Sequence, residues 1–152
     1  MDIRTFLAHA VKLEAAAAQG SDSLADAMET WGNREVEAFF RQMAEFSRRH
    51  LKEAMARAGF RHVSELPSEG YRWPDGIPPE SAQWFGIDGF MDRDQAVLLA
   101  LEAERRGLDF YEHIAQTETD PRVKSMAAEF ASEERDHVAQ LELLARGSQD
   151  RT

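Results

Sequence analysis

Apolar side chains recur every three or four residues through most of this chain, which is the spacing of amphipathic helices and not the alternation of strands. Ile3, Leu7, Ala10, Glu14, Ala17, Ser21, Leu24, Met28 and Trp31 form the first row. It predicts one long helix that tolerates Gly20. Gly32 and Asn33 then supply a stop and a new N-cap, after which Val36, Phe39, Met43, Ser47, His50 and Ala54 mark a second helix ending near Gly59. So short a turn makes the two helices antiparallel neighbours. A third row, Val97, Leu101, Glu104, Leu108, Tyr111 and Ala115, has Asp92 or Asp94 as its cap and stops before Asp120-Pro121. Pro121 suits the first turn of a fourth helix, whose row is Ala127, Phe130, Glu134, His137, Leu141 and Leu144. That helix is expected to run to about Ala145, leaving a polar, frayed tail at 147–152.

Between the second and third helices the periodicity lapses. Residues from about 60 to 92 hold four of the five prolines and two of the three tryptophans. Trp73, Trp84, Phe85 and Phe90 are expected to pin this connector against the helices, since disordered linkers are poor in aromatics. About 30 residues suffice to retrace a helix of roughly 39 Å and start the next one at the opposite end. The pattern therefore predicts an all-α four-helix bundle with a long crossover between helices two and three, built as one domain over residues 1–152.

The two halves resemble each other. Sliding the second helix onto the fourth lays Val36 on Val123, Met43 on Phe130, Ala44 on Ala131, Arg48 on Arg135 and His50 on His137 without a gap. The first and third helices then pair Glu14 with Glu104. A duplicated helical hairpin accounts for this economically.

Composition narrows the chemistry. The 152 residues are 43% hydrophobic, enough for one domain with a sizeable core, and carry a formal net charge of -10. That charge argues against nucleic acid or an anionic membrane as partner and favours cations. There is no cysteine, so disulfides, thiolate zinc sites and iron–sulfur centres drop out. The N-terminus shows no basic-then-apolar leader and no stretch is long enough to span a bilayer, so a cytoplasmic protein is expected.

Against that background the ionisable residues inside the apolar rows stand out. Removing a lone ion from water costs several kcal/mol, so such positions ask for a charge partner or a metal. Glu14 and Glu104 interrupt the first and third rows, His50 and His137 the second and fourth, and Glu134 adds a third carboxylate. Each lies near the middle of its helix, so in an antiparallel bundle they can converge. Spacing of three puts Glu134 and His137 on one face, able to share an ion or hold two adjacent ones. Carboxylates and imidazoles without sulfur suit iron or manganese, with zinc as the usual competitor.

One Glu on each of two helices, Glu-x-x-His on the others and a long crossover resemble the ferritin-like di-iron carboxylate proteins, most of all their rubrerythrin-like branch. The resemblance spans about residues 3–145. Its most specific stretches are AERRGLDFY, with Glu104 and Tyr111, and SEERDH, with Glu134 and His137. It maps the family's metal ligands onto Glu14, His50, Glu104, Glu134 and His137. It implies two iron ions, reaction with peroxide or dioxygen or oxidation of ferrous iron, an external electron donor protein in the absence of a rubredoxin module, and a homodimer.

One position departs from the pattern. Where the second Glu-x-x-His should stand the chain reads Ser47-Arg48-Arg49-His50. Two divalent ions carry +4, whereas Glu14, Glu104 and Glu134 supply -3, so the second metal is expected to bind more weakly. Glu53 lies at the edge of the same face and can substitute by reaching back; Glu45 points away. Tyr111 is expected either to hydrogen-bond a ligand carboxylate or simply to pack. His9, His62 and His113 are expected at the surface. Two rival readings keep the bundle: a mononuclear metal-binding protein, and a degenerate bundle with a structural or interaction role.

Overall fold

A computed structural model of the chain describes residues 1–61 and 90–149. They form four helices: α1 (Ile3–Thr30), α2 (Arg34–Ala58), α3 (Arg93–Thr117) and α4 (Pro121–Gln149). The boundaries follow local chemistry. Asp2 caps α1 by accepting from the Thr5 N–H at 2.7 Å, and Asn33 caps α2 through Val36 N–H. Asp92, not Asp94, caps α3, in a reciprocal box with Gln95. At Gly32 and Gly59 the backbone turns left-handed, with φ of 76° and 73°. In both turns the next N–H reaches back five residues, Asn33 to Met28 O and Phe60 to Met55 O, closing the helix ends.

α1 packs along α2 and α3 along α4. The direction of the second pair is fixed by contacts at the two ends of the bundle. Asn33, in the α1–α2 turn, donates from Nδ2 to Met91 O at 2.7 Å, which places the start of α3 beside that turn. Phe60, after α2, lies at the other end in the cluster containing Phe6. The N-terminal ammonium meets Glu118, after α3, at 3.1 Å. The order is therefore up, down, down, up, and the chain between α2 and α3 must travel the length of a 25-residue helix, about 37 Å. The expected crossover follows; Trp73, Trp84, Phe85 and His62 lie outside the described residues.

The core comes in two parts. One end is built from Phe6, Leu13, Tyr111, Ile114 and Phe130 with their neighbours. The other is built from Leu24, Met28, Val36, Phe40, Val97 and Leu141 with theirs. On every helix the break between the two parts coincides with the ionisable positions: Glu14 on α1, Ser47 to His50 on α2, Glu104 on α3, and Glu134 to His137 on α4.

Several expectations need correcting. α4 continues past Ala145 to Gln149, taking in Gly147. Trp31 is 63% exposed and Phe90 84%, their rings 6.1 Å apart, so this pair sits outside the apolar interior. Leu144 is exposed at the end of its row. His113 is exposed as expected, but His9 is only 2% exposed. Every residue from Phe6 to Val11 is buried, so this part of α1 is covered all round and its outward face is not a surface.

Candidate metal centre

The five residues singled out by their place in the apolar rows meet in the layer between the two cores. His50 Nδ1 lies 3.6 Å from Glu14 Oε1, and His137 Nδ1 lies 3.7 Å from Glu104 Oε2. Each hairpin thus brings one His–Glu pair, as its duplication requires. Glu134 joins the halves: its Oε1 is 3.8 Å from His50 Nδ1, on the opposite hairpin. The two imidazoles stack between the hairpins, ring centres 4.8 Å apart and 14° from parallel.

These separations exceed a hydrogen bond. They are close to the spacing of two donors on one metal, which bonds of 2.0–2.2 Å set at roughly 3–3.5 Å. Burial makes the same point. Glu14, Glu104 and Glu134 are buried, and Glu104 Oε2 and Glu134 Oε2 have no hydrogen-bond partner among the described residues. An orphaned buried carboxylate oxygen is costly. His50, Glu134 and His137 offer donor atoms all within 4.8 Å of one another. A nitrogen-and-oxygen donor set with unsatisfied carboxylates fits a metal ion.

Without a metal the layer must hold protons instead. Burial, then the charge of Glu134, pushes Glu104 up to about 8, and burial raises Glu14 likewise. Burial alone would pull His50 down, but Glu134 and Glu14 hold its proton and lift it to about 10.

The auxiliary positions divide. Ser47 is buried at the place of the expected carboxylate. Glu53 does not reach back to fill it; it pairs with Arg57 at 3.1 Å on the outer rim, near Glu129 and Glu133. Tyr111 is buried and lines a small cavity with Glu14, His50 and Glu134, its ring held among Phe6, Phe110 and Phe130. Two residues escaped the sequence reading. Glu133 comes within 3.9 Å of His50 Nε2, and the Phe46 ring lies 5.1 Å from that of His137. The repeat held the signal, since the alignment that lays His50 on His137 also lays Phe46 on Glu133.

Among the described residues no helix is long and apolar enough to cross a membrane. No protein-family model matches the chain, and a search of curated proteins finds no match. Among solved structures, an uncharacterised conserved protein from Magnetospirillum magnetotacticum MS-1 is similar over 97% of this chain and 95% of its own, at 32% identity and a TM-score of 0.75. The likeness covers all four helices and therefore the layer they enclose. At that identity and coverage, the chain belongs to the same protein family as the Magnetospirillum protein.

Proposed function

We propose that this is a rubrerythrin-like protein whose bundle centre holds two iron ions and serves redox chemistry on peroxide or dioxygen. The observation that carries the reading is the paired His–Glu geometry, 3.6 Å in one hairpin and 3.7 Å in the other, with Glu134 between them. Glu14 with His50 would hold one ion, Glu104 with His137 the other, and Glu134 would serve both. Iron supplies the electron transfer, which none of these side chains can perform.

The protein's own part is to place donors and manage protons. The two apolar cores fix the depth of each carboxylate, and the stacked imidazoles limit each other's rotation. Burial raises Glu14 and Glu104, and Glu134 and Glu14 raise His50, so a metal ion entering the layer competes with protons. Electrons come from an external donor, because the chain has no cysteine with which to build an iron–sulfur relay.

A specific observation favours a second reading. Ser47 removes one carboxylate from the His50 side, which suits a single ion held by Glu104, Glu134 and His137. Stoichiometry separates the two. Metal-free protein titrated anaerobically with ferrous iron should take up close to two equivalents, release protons as it does so, and react on adding peroxide with a change in near-ultraviolet absorbance. His137→Ala should abolish uptake at its side, while His113→Ala should change nothing. One equivalent would favour the mononuclear reading. No uptake, with the same melting temperature with and without chelator, would remove both, since a metal bound only by the native state must stabilise it.

A further inference from the structure

The residues just before the two Glu-x-x-His positions exchange partners across the bundle. Glu133 of α4 approaches His50 of α2 at 3.9 Å, and Phe46 of α2 lies against His137 of α4 with ring centres 5.1 Å apart. In the repeat these are equivalent positions, as are Ser47 and Glu134. The duplication is therefore regular in where it places residues and unequal in what it places there. One histidine has a carboxylate at its outer edge; the other has an arene.

His50 turns its two nitrogens to different carboxylates. Nδ1 faces Glu14 and Glu134 at 3.6 and 3.8 Å, whereas Nε2 faces Glu133. Glu133 and Glu53 line the same small cavity as Glu14, His50 and Glu134. The His137 side has no such carboxylate in the Phe46 position. There the Phe46 ring lies beside the imidazole, the two lining a separate apolar cavity with Met43 and Leu141, and the Arg49 guanidinium is 4.7 Å from the phenyl ring. Charge makes the difference matter, because Ser47 leaves three buried carboxylates to face the four positive charges of two divalent ions, in surroundings where charges are poorly screened.

We propose that Glu133 is the fourth carboxylate of the metal centre, standing at His50 in place of the one that Ser47 does not provide. Glu133 is a positioning residue that acts through His50. It makes the two metal positions unequal: the His50-side ion depends on Glu133, whereas the His137 side has Phe46 at the equivalent place. The inference rests on the two-metal reading above. Glu129, the third carboxylate of the rim, is taken up by Arg57, which donates to both of its oxygens.

The test is calorimetric titration of the metal-free protein with Mn²⁺ alone, in the wild type, Glu133→Gln, Glu129→Gln and the double variant Glu133→Gln with Ser47→Glu. The wild type should bind in two steps. Glu133→Gln should weaken the looser step by about tenfold or more, as loss of a carboxylate supporting a ligand histidine does, and leave the tighter step in place. Glu129→Gln should alter neither, and Ser47→Glu should restore the looser step to Glu133→Gln. The proposal is overturned if the wild type binds two ions and Glu133→Gln binds both equally well, or if Glu129→Gln weakens binding as much, which would reduce the effect to general surface charge. A wild type that binds one ion or none overturns the two-metal reading itself, and this inference with it.

Discussion

Glu14, Glu104, Glu134, His50 and His137 were legible in the sequence because each breaks an apolar row at a position where a hydrophobic side chain would otherwise sit. His9 was not, because a row records one face of a helix and His9 lies off it; only the complete burial from Phe6 to Val11 puts it inside. Glu133 was hidden beside Glu134, where a charged neighbour reads as solvated. The two kinds of buried group respond oppositely to pH. Burial lowers His9 from 6.5 to about 4, so below pH 6.5 the unfolded chain takes up a proton that the native state refuses. Its contribution to stability is present above pH 6.5 and lost as the pH falls toward 4, on the order of 3 kcal/mol in full. Glu104, Glu14 and His50 are raised, so the native metal-free protein holds protons that the unfolded chain releases; the contribution is lost as the pH rises through about 8 for Glu104 and about 10 for His50, and Glu14 acts in the same direction. Urea unfolding of metal-free protein should therefore show stability falling above pH 6.5. Between pH 6.5 and 4.5, His9→Gln should lose less stability than the wild type. Parallel curves for the two proteins would count against a buried neutral His9.

At the scale of elements, the starts were readable because caps are local chemistry: Asn33 follows a glycine, and Asp92 stands three residues before Gln95. The end of α4 was not, because the apolar row runs out at Leu144 and the helix continues through Arg146 and Gly147, both exposed. The end of α2 is sharper. Gly59 adopts φ of 73° in the closure that brings Phe60 back over the core, and a Cβ there would meet no atom within 4 Å. The cost of a side chain is thus backbone strain alone. Gly59→Ala should destabilise the protein by about 1 kcal/mol, read as a lower denaturation midpoint with an unchanged slope. The same change at Gly147, where no positive φ is needed, should be neutral or slightly stabilising.

For the whole molecule, periodicity yielded four helices and their duplication, and connector length yielded the crossover. The place of Glu14, His50, Glu104 and Glu134 near the middle of their rows pointed to a common depth, and all four helices do interrupt their cores at one level. That alignment has a consequence for how the molecule can come apart. Each hairpin owns a share of both cores and one His–Glu pair, and the chain joining α2 to α3 adds no residue to the metal centre among those described. Residues 1–61 and 90–152, produced as separate peptides, are therefore complementary fragments. Mixed with Mn²⁺, they should assemble into a helical heterodimer more readily than with chelator, followed by circular dichroism against concentration. Assembly indifferent to metal would mean that the apolar ends alone hold the halves together. If metal governs it, the ion is also the rivet between two pieces of protein, and its loss loosens the molecule along the seam where it was duplicated.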